Sequence, residues 1–353
     1  LAKKKNLNDL IPPFVHYRAL PVGTSCFLTI SLISIAFLLP VAPGPLSVGS
    51  QAEAFWPFNK KGNKGNKKRR QLRGTPVGLV PGNPPATYWA PKGKAKAVVL
   101  CLHELGLYSG VFDDLGSRLS ANDIAVYAID LRGFGGWKDV EKKEGKMDLP
   151  KTLADVKGSC EILHKLHPDL PVFVLGEAMG GALALQAATK FPDLIKGVIS
   201  AAPGGEHYKT VNNYMSVAGS MAVGSKHAFG LGEELLDMAT PKEELKEALQ
   251  NDEMCRLDVT SGEMMACQFF MYKTQKMAKQ IKETPVLIVH GQKDGESKLE
   301  GSQSVYDNLG TKDKKFAVVE DGDHYTFEDT KVSDKAFDTA LTWIDQHIAQ
   351  KSE

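Results

Sequence analysis

From Pro76 onward the sequence predicts an α/β fold: a mostly parallel, eight-stranded sheet with helices on both faces. Three observations carry that expectation. Strand-like and helix-like segments alternate, the pattern of a parallel sheet wound with crossover helices. One run, Ala97 to His103 (AVVLCLH), is apolar without interruption, as a strand covered on both faces must be. Val172 to Leu185 (VFVLGEAMGGALAL) passes from strand through a very tight, glycine-containing turn directly into a helical pattern.

Taken in order, the chain of 353 residues begins with Lys3, Lys4, Lys5 and Arg18 ahead of an apolar run from Cys26 to Leu39. Such a run is shorter than the roughly 20 residues that span a bilayer. Residues 1–54 therefore read as a signal peptide, with Ala52-Glu53-Ala54 as an A-x-A-like cleavage site before Phe55. With the run extended through Ala42 they read instead as an uncleaved anchor. The first reading implies export to a periplasmic or extracellular space, the second attachment to a membrane. Residues 55–75 form a basic linker carrying Lys60, Lys61, Lys64, Lys67, Lys68, Arg69, Arg70 and Arg73 among glycines and asparagines, and disorder is expected there. It is either a solvated spacer or, through Lys60 to Arg73, a contact to an anionic membrane surface at about 1 kcal/mol per basic residue.

Residues 76–353 make up the folded domain. Val77 to Val80 and Ala86 to Ala90 are its opening strands, and a helix starts near Val111 after the strand at Ala97. Ile124 to Asp130 is the next strand, followed by the glycine-rich loop Leu131 to Gly136. Thr152 to His164 is a helix with Leu153, Val156, Cys160 and Leu163 on one stripe. After the strand–turn–helix segment come strands at Gly197 to Ala201, Pro285 to His290 and Lys315 to Val319, and an amphipathic helix from Ser333 to Gln350. Between residues 203 and 282 the alternation gives way to a helical cap that holds eight of the ten methionines. They serve as adaptable packing or as the lining of an apolar ligand site.

A net charge of +1 excludes the strongly basic surface of a nucleic-acid binder. The five cysteines, Cys26, Cys101, Cys160, Cys255 and Cys267, show neither CxxC nor metal-ligand spacing. His164 and His167 read as a helix-end pair, so neither a metal nor a cofactor is expected. Oligomeric state is not legible.

Gly176-Glu177-Ala178-Met179-Gly180 has the frame G-x-S-x-G of a nucleophile elbow, where a strained turn lifts the central residue above an α/β-hydrolase sheet. Here the centre is Ala178, with Glu177 beside it pointing away from the pocket. In that fold the acid and histidine follow the nucleophile in chain order. Asp294 (in HGQKDGE) and His324 (in EDGDHYTFED) sit just beyond two later strands, at the carboxyl ends where open α/β sheets bind ligands. Asp321 and Asp323 are alternative partners for His324. The backbone N–H of Met179 is one oxyanion donor, and the loop after His103 supplies the other.

Between about Ala86 and Ile348 the chain resembles the monoacylglycerol lipase, lysophospholipase and serine aminopeptidase group of α/β-hydrolases. The stretches that carry the resemblance are Trp89-Ala90-Pro91, HELGLYSG from His103, Asp130 with Arg132-Gly133-Phe134-Gly135, GEAMGG from Gly176, HGQKD from His290 and GDHY from Gly322. It implies oxyanion donors at Leu105 and Met179, a helical cap over 203–282, and hydrolysis of an ester of an apolar acyl group. Two residues depart from the group's pattern. Ala178 lacks the oxygen of the nucleophile serine, and Glu104 stands in place of a glycine, setting a carboxylate where negative charge would develop. The reading adopted is a pseudo-hydrolase that binds an apolar acyl or lipid ligand. The alternatives are a working ester hydrolase, in which the alanine is introduced or mis-sequenced or water is activated by Glu104 with His324, and a membrane-surface scaffold.

Overall fold

The computed structural model describes residues 68–79, 84–137, 146–207 and 236–349. The expected segment 1–54, most of the basic linker, and Met215 and Met221 of the cap lie outside the described residues. The strands among the described residues are β1 (Thr75–Gly78), β2 (Pro85–Trp89), β3 (Ala97–Leu102), β4 (Ile124–Ile129), β5 (Val172–Glu177), β6 (Gly197–Ala201), β7 (Val286–Gly291) and β8 (Lys314–Val319). They form one sheet in the order β1-β2-β4-β3-β5-β6-β7-β8. β2 pairs antiparallel with β1 and β4, and the five remaining pairings are parallel.

Among the described residues, the helices that follow from the same sequence patterns are α1 (Asp113–Ala121), α2 (Leu149–Leu166), α3 (Met179–Lys190), α4 (Glu243–Asn251), α5 (Ser261–Met277), α6 (Leu299–Asn308) and α7 (Asp334–Ala349). Alternate residues of β3 enter opposite cores, as the two-residue period of a strand requires. Val98, Leu100 and Leu102 join the core under α2, α3 and α6, while Ala97, Val99 and Cys101 join the one under α1 and α7. The central strands are buried on both faces, which is why their sequences are continuously apolar. Among the described residues no helix is long and apolar enough to cross a membrane.

Helix α2 starts a turn earlier than the sequence pattern suggests. The Asp148 carboxylate caps the N–H of Lys151, and Pro150 occupies the first turn, where its missing N–H loses no bond. Within the stretch expected to form the cap, α4 and α5 are helical. A capping box between Thr260 and Glu263 opens α5, and Gln186 of α3 donates to Thr274 at 2.6 Å. Cys267 and Met271 of α5 share an apolar core with Ala178 and Met179, so this part of the cap packs directly on the elbow helix.

Residues 68–75 of the stretch expected to be disordered make defined contacts. Lys68 donates its backbone N–H to Asn251 at 3.0 Å. Asp113, buried at the start of α1, accepts from the backbone N–H groups of Arg73 (2.8 Å) and Gly74 (3.1 Å) and from the Trp89 indole (2.9 Å). The Arg73 guanidinium pairs with Asp113 and Asp114. One charge of the basic stripe is thus spent on the fold, and no local sequence signal announces a partner 40 residues away. Asp113→Ala strands buried donors and should lower unfolding free energy by about 3 kcal/mol in urea titration. A loss below about 1 kcal/mol would show that this clasp is peripheral.

Candidate active site

The elbow is formed with its backbone intact and its nucleophile position filled by a methyl group. At the end of β5, Ala178 holds φ 44° and ψ −108° as the cap of α3. A non-glycine residue held there costs about 1–3 kcal/mol, which the surrounding structure must offset. It can do so because Gly180 lets α3 approach β3: a Cβ there would lie 1.9 Å from the Leu102 carbonyl oxygen. Met179 is the first residue of α3 and is buried. Leu105, in the loop after β3, packs against the same apolar core as Ala178 and Met179. The two expected oxyanion positions are therefore neighbours of one core.

His324 lies in the loop after β8, and its Nδ1–H donates to Asp294 Oδ2 at 2.8 Å. Asp294 is in turn held by the N–H groups of Glu296 (2.9 Å) and Ser297 (2.8 Å) on its Oδ1. The competing acids have other tasks. Asp323 accepts from Thr240 at 2.5 Å and pairs with Lys242 at 3.2 Å, and Asp321 accepts from Ser333 at 3.3 Å. Burial pushes the Asp294 carboxyl upward, but the charge and hydrogen bond of His324 outweigh it and hold the group below its ordinary value.

The far side of the imidazole is where this site departs from a hydrolase. Nε2 lies 3.2 Å from Glu104 Oε1 and 3.8 Å from Glu296 Oε2. Burial disfavours the imidazolium, yet Asp294, Glu104 and Glu296 together raise the His324 pKa well above the usual value. Glu104 itself is anchored by its backbone N–H, which donates to Glu328 Oε1 at 2.9 Å. Its carbonyl accepts from His103 Nδ1–H at 2.6 Å, because His103 Nε2 must accept from the Leu131 N–H at 2.9 Å. Burial lowers the His103 pKa to about 4, so that ring is neutral and ties the loop to the end of β4.

Glu177 does point away from the elbow's outer side, as expected, and into the protein. It accepts three backbone N–H groups, from Thr326 (2.7 Å), Phe327 (2.9 Å) and Glu328 (3.0 Å), and so shapes the loop that carries His324. Burial raises its carboxyl to about 8 against those hydrogen bonds. Burial likewise raises Glu296 to about 8, and raises Glu328 with the help of the Glu177 and Glu104 charges. Asp294, Glu104 and Glu296 thus face a single imidazole, and Glu177 and Glu328 lie near enough to feel its charge.

Glu296 and Glu328 were not singled out by the sequence reading. The only signal available was their position, two residues after Asp294 and four after His324. His164 and His167 end α2 as a structural pair: His164 Nε2 bonds the Leu194 carbonyl, and the Tyr127 hydroxyl bonds His167 Nε2, both at 3.0 Å. Cys101, Cys160, Cys255 and Cys267 are buried free thiols. Burial pushes the Cys160 thiol up to about 12.

Sheet order, the strained elbow, and an acid and histidine on successive carboxyl-end loops define an α/β-hydrolase. The chain belongs to the family described as Serine aminopeptidase, S33, whose model matches residues 93–331. It is a lipase- and esterase-like member of the α/β-hydrolases, in the monoacylglycerol lipase family. The monoacylglycerol lipase of Mycolicibacterium smegmatis is 24% identical over 262 residues, covering 74% of this chain and 92% of that protein. The monoglyceride lipase of Homo sapiens is 33% identical over 120 residues, spanning 33% of this chain and 38% of that one. Among solved structures, the Paleococcus ferrophilus monoacylglycerol lipase superposes with TM-score 0.61 at 22% identity, over 74% of this chain and 98% of its own. A soluble variant of the Saccharomyces cerevisiae monoglyceride lipase, in complex with a substrate analogue, gives 0.63 at 19% identity, over 84% and 99%.

Proposed function

We propose that the chain is a lipase-like pseudo-hydrolase that binds an apolar acyl ligand, a fatty acid or monoacyl lipid, without acyl transfer. One observation carries the proposal: Ala178 occupies the nucleophile position while Glu104 Oε1 stands 3.2 Å from His324 Nε2. Acyl transfer by the family route needs a side-chain oxygen at the elbow and a histidine free to take its proton. Here the oxygen is missing and the base faces a carboxylate. A carboxylate beside an oxyanion position also opposes the charge that develops in a tetrahedral intermediate. The acyl part of the reading is supported by the apolar core that joins Ala178, Leu105, Cys267 and Met271, and by the acylglycerol lipases among the relatives.

Lipid extracted from the purified chain should contain a fatty acid or monoacyl lipid near one per protein, read by mass spectrometry. The same protein should not label with a fluorophosphonate, since labelling requires an activated serine. A protein that purifies empty and displaces no fluorescent fatty acid would refute acyl binding. Robust esterase activity of the unmodified chain, lost in His324→Ala, would refute the pseudo-hydrolase reading and restore the water mechanism.

A further inference from the structure

Acyl binding leaves the buried acidic groups around His324 without a purpose. Glu104 comes from the loop after β3, Glu296 from the loop after β7, and His324 from the loop after β8. One ligand atom from each lies within 4.8 Å of the others. His324 Nε2 is 3.2 Å from Glu104 Oε1 and 3.8 Å from Glu296 Oε2. Ligands about 2.0–2.1 Å from a tetrahedral ion lie roughly 3.3–3.4 Å from one another, so small side-chain shifts would complete a coordination shell.

A second observation points to a ligand at the same place. Glu104 is 7% exposed, and its Oε2 is buried with no hydrogen-bond partner. An orphaned carboxylate oxygen in the interior is costly unless something satisfies it. The imidazole is already oriented as metal-binding histidines are, with Nδ1–H donating to the Asp294 carboxylate at 2.8 Å. The carboxyl groups of Glu104, Asp294 and Glu296 converge on one imidazole, an acidic setting that suits a cation.

We propose that Glu104, Glu296 and His324 bind a divalent cation of the zinc type, with a fourth coordination position open to water or a ligand. The donor set selects the ion: magnesium and calcium favour all-oxygen shells, whereas one imidazole with two carboxylates suits zinc and its neighbours. On binding, Nε2 releases its proton to solvent and exchanges its contact with Glu104 for the metal, and Asp294 keeps hold of Nδ1. The inference goes beyond acyl binding and does not depend on it.

The test uses the full chain, stripped with chelator and dialysed, then titrated with cobalt(II) and zinc. One cobalt per chain should bind with the intense visible absorption of a tetrahedral site, and zinc should displace it. Glu104→Gln and Glu296→Gln preserve side-chain shape, and each should weaken zinc binding at least about 10–100-fold, the loss seen even when outer-shell partners are removed. Glu161→Gln, on the exposed face of α2, should leave it unchanged. Weak octahedral cobalt absorption, absence of stoichiometric binding, or binding equal in all three variants would each overturn the proposal. If either site variant does not fold, the cobalt spectrum of the unmodified chain decides alone.

Discussion

Ala178→Ser combined with Glu104→Gly should label with a fluorophosphonate and hydrolyse short acyl esters, whereas Ala178→Ser alone should stay nearly silent. Serine at Ala178 places Oγ on a turn already held at φ 44°, so the nucleophile returns with no backbone change. In the single variant, however, Oγ must compete for His324 Nε2 with Glu104 Oε1, now 3.2 Å away. The carboxylate would also face the developing oxyanion. Removing it frees the base and restores close backbone approach at the oxyanion loop. The double variant should exceed the single one by about 10²–10³ in kcat, the scale of one oxyanion-hole contribution. Stopped assays of kcat on a short-chain nitrophenyl ester measure the ratio. Equal rates in the two variants would show that Glu104 does not block the site, and inactivity of both would place the defect elsewhere.

Gly180→Ala should be the most damaging single methyl addition in the described chain, with a loss above about 4 kcal/mol or no soluble protein. Its Cβ would stand 1.9 Å from the Leu102 carbonyl oxygen and 2.8 Å from that of His103, both backbone atoms of the central strand and its loop. The Leu102 carbonyl cannot retreat without breaking the pairing of β3 with β4 or β5. The comparison is Gly158→Ala in α2, where nothing lies within 4 Å of the new Cβ. That change should stabilise by about 0.5–1 kcal/mol, because glycine is the poorer helix residue. Denaturant midpoints of the two variants, read side by side, test the claim. Near-equal stability would mean that α3 does not depend on this contact with β3.

Much of the fold was legible because its signals are local. Gly197 to Ala201 was read to the residue, and the strand at Ala97 to within one, since a strand buried on both faces has no polar positions to blur its ends. Asp294 and His324 were legible through order and placement at strand ends. The structure then chose Asp294 over Asp321 and Asp323 by a direct hydrogen bond. Helix α2 was read short because its cap depends on one carboxylate and a proline in the first turn. Anchoring of residues 68–74 was not legible at all, because Lys and Arg among glycines look alike whether solvated or paired.

By itself, the sequence determined the hydrolase architecture, the tight elbow, the absence of an oxygen at Ala178 and the presence of a carboxylate at Glu104. These are matters of residue type and short-range pattern. Only the tertiary structure decided what that carboxylate meets. Glu104 and His324 are 220 residues apart, and no periodicity links them. Their contact, with Glu296 and Glu328 drawn in beside them, arises because a parallel sheet brings the carboxyl ends of β3, β7 and β8 to one edge. Burial there strips the groups of water, so their mutual charges set the chemistry of the site.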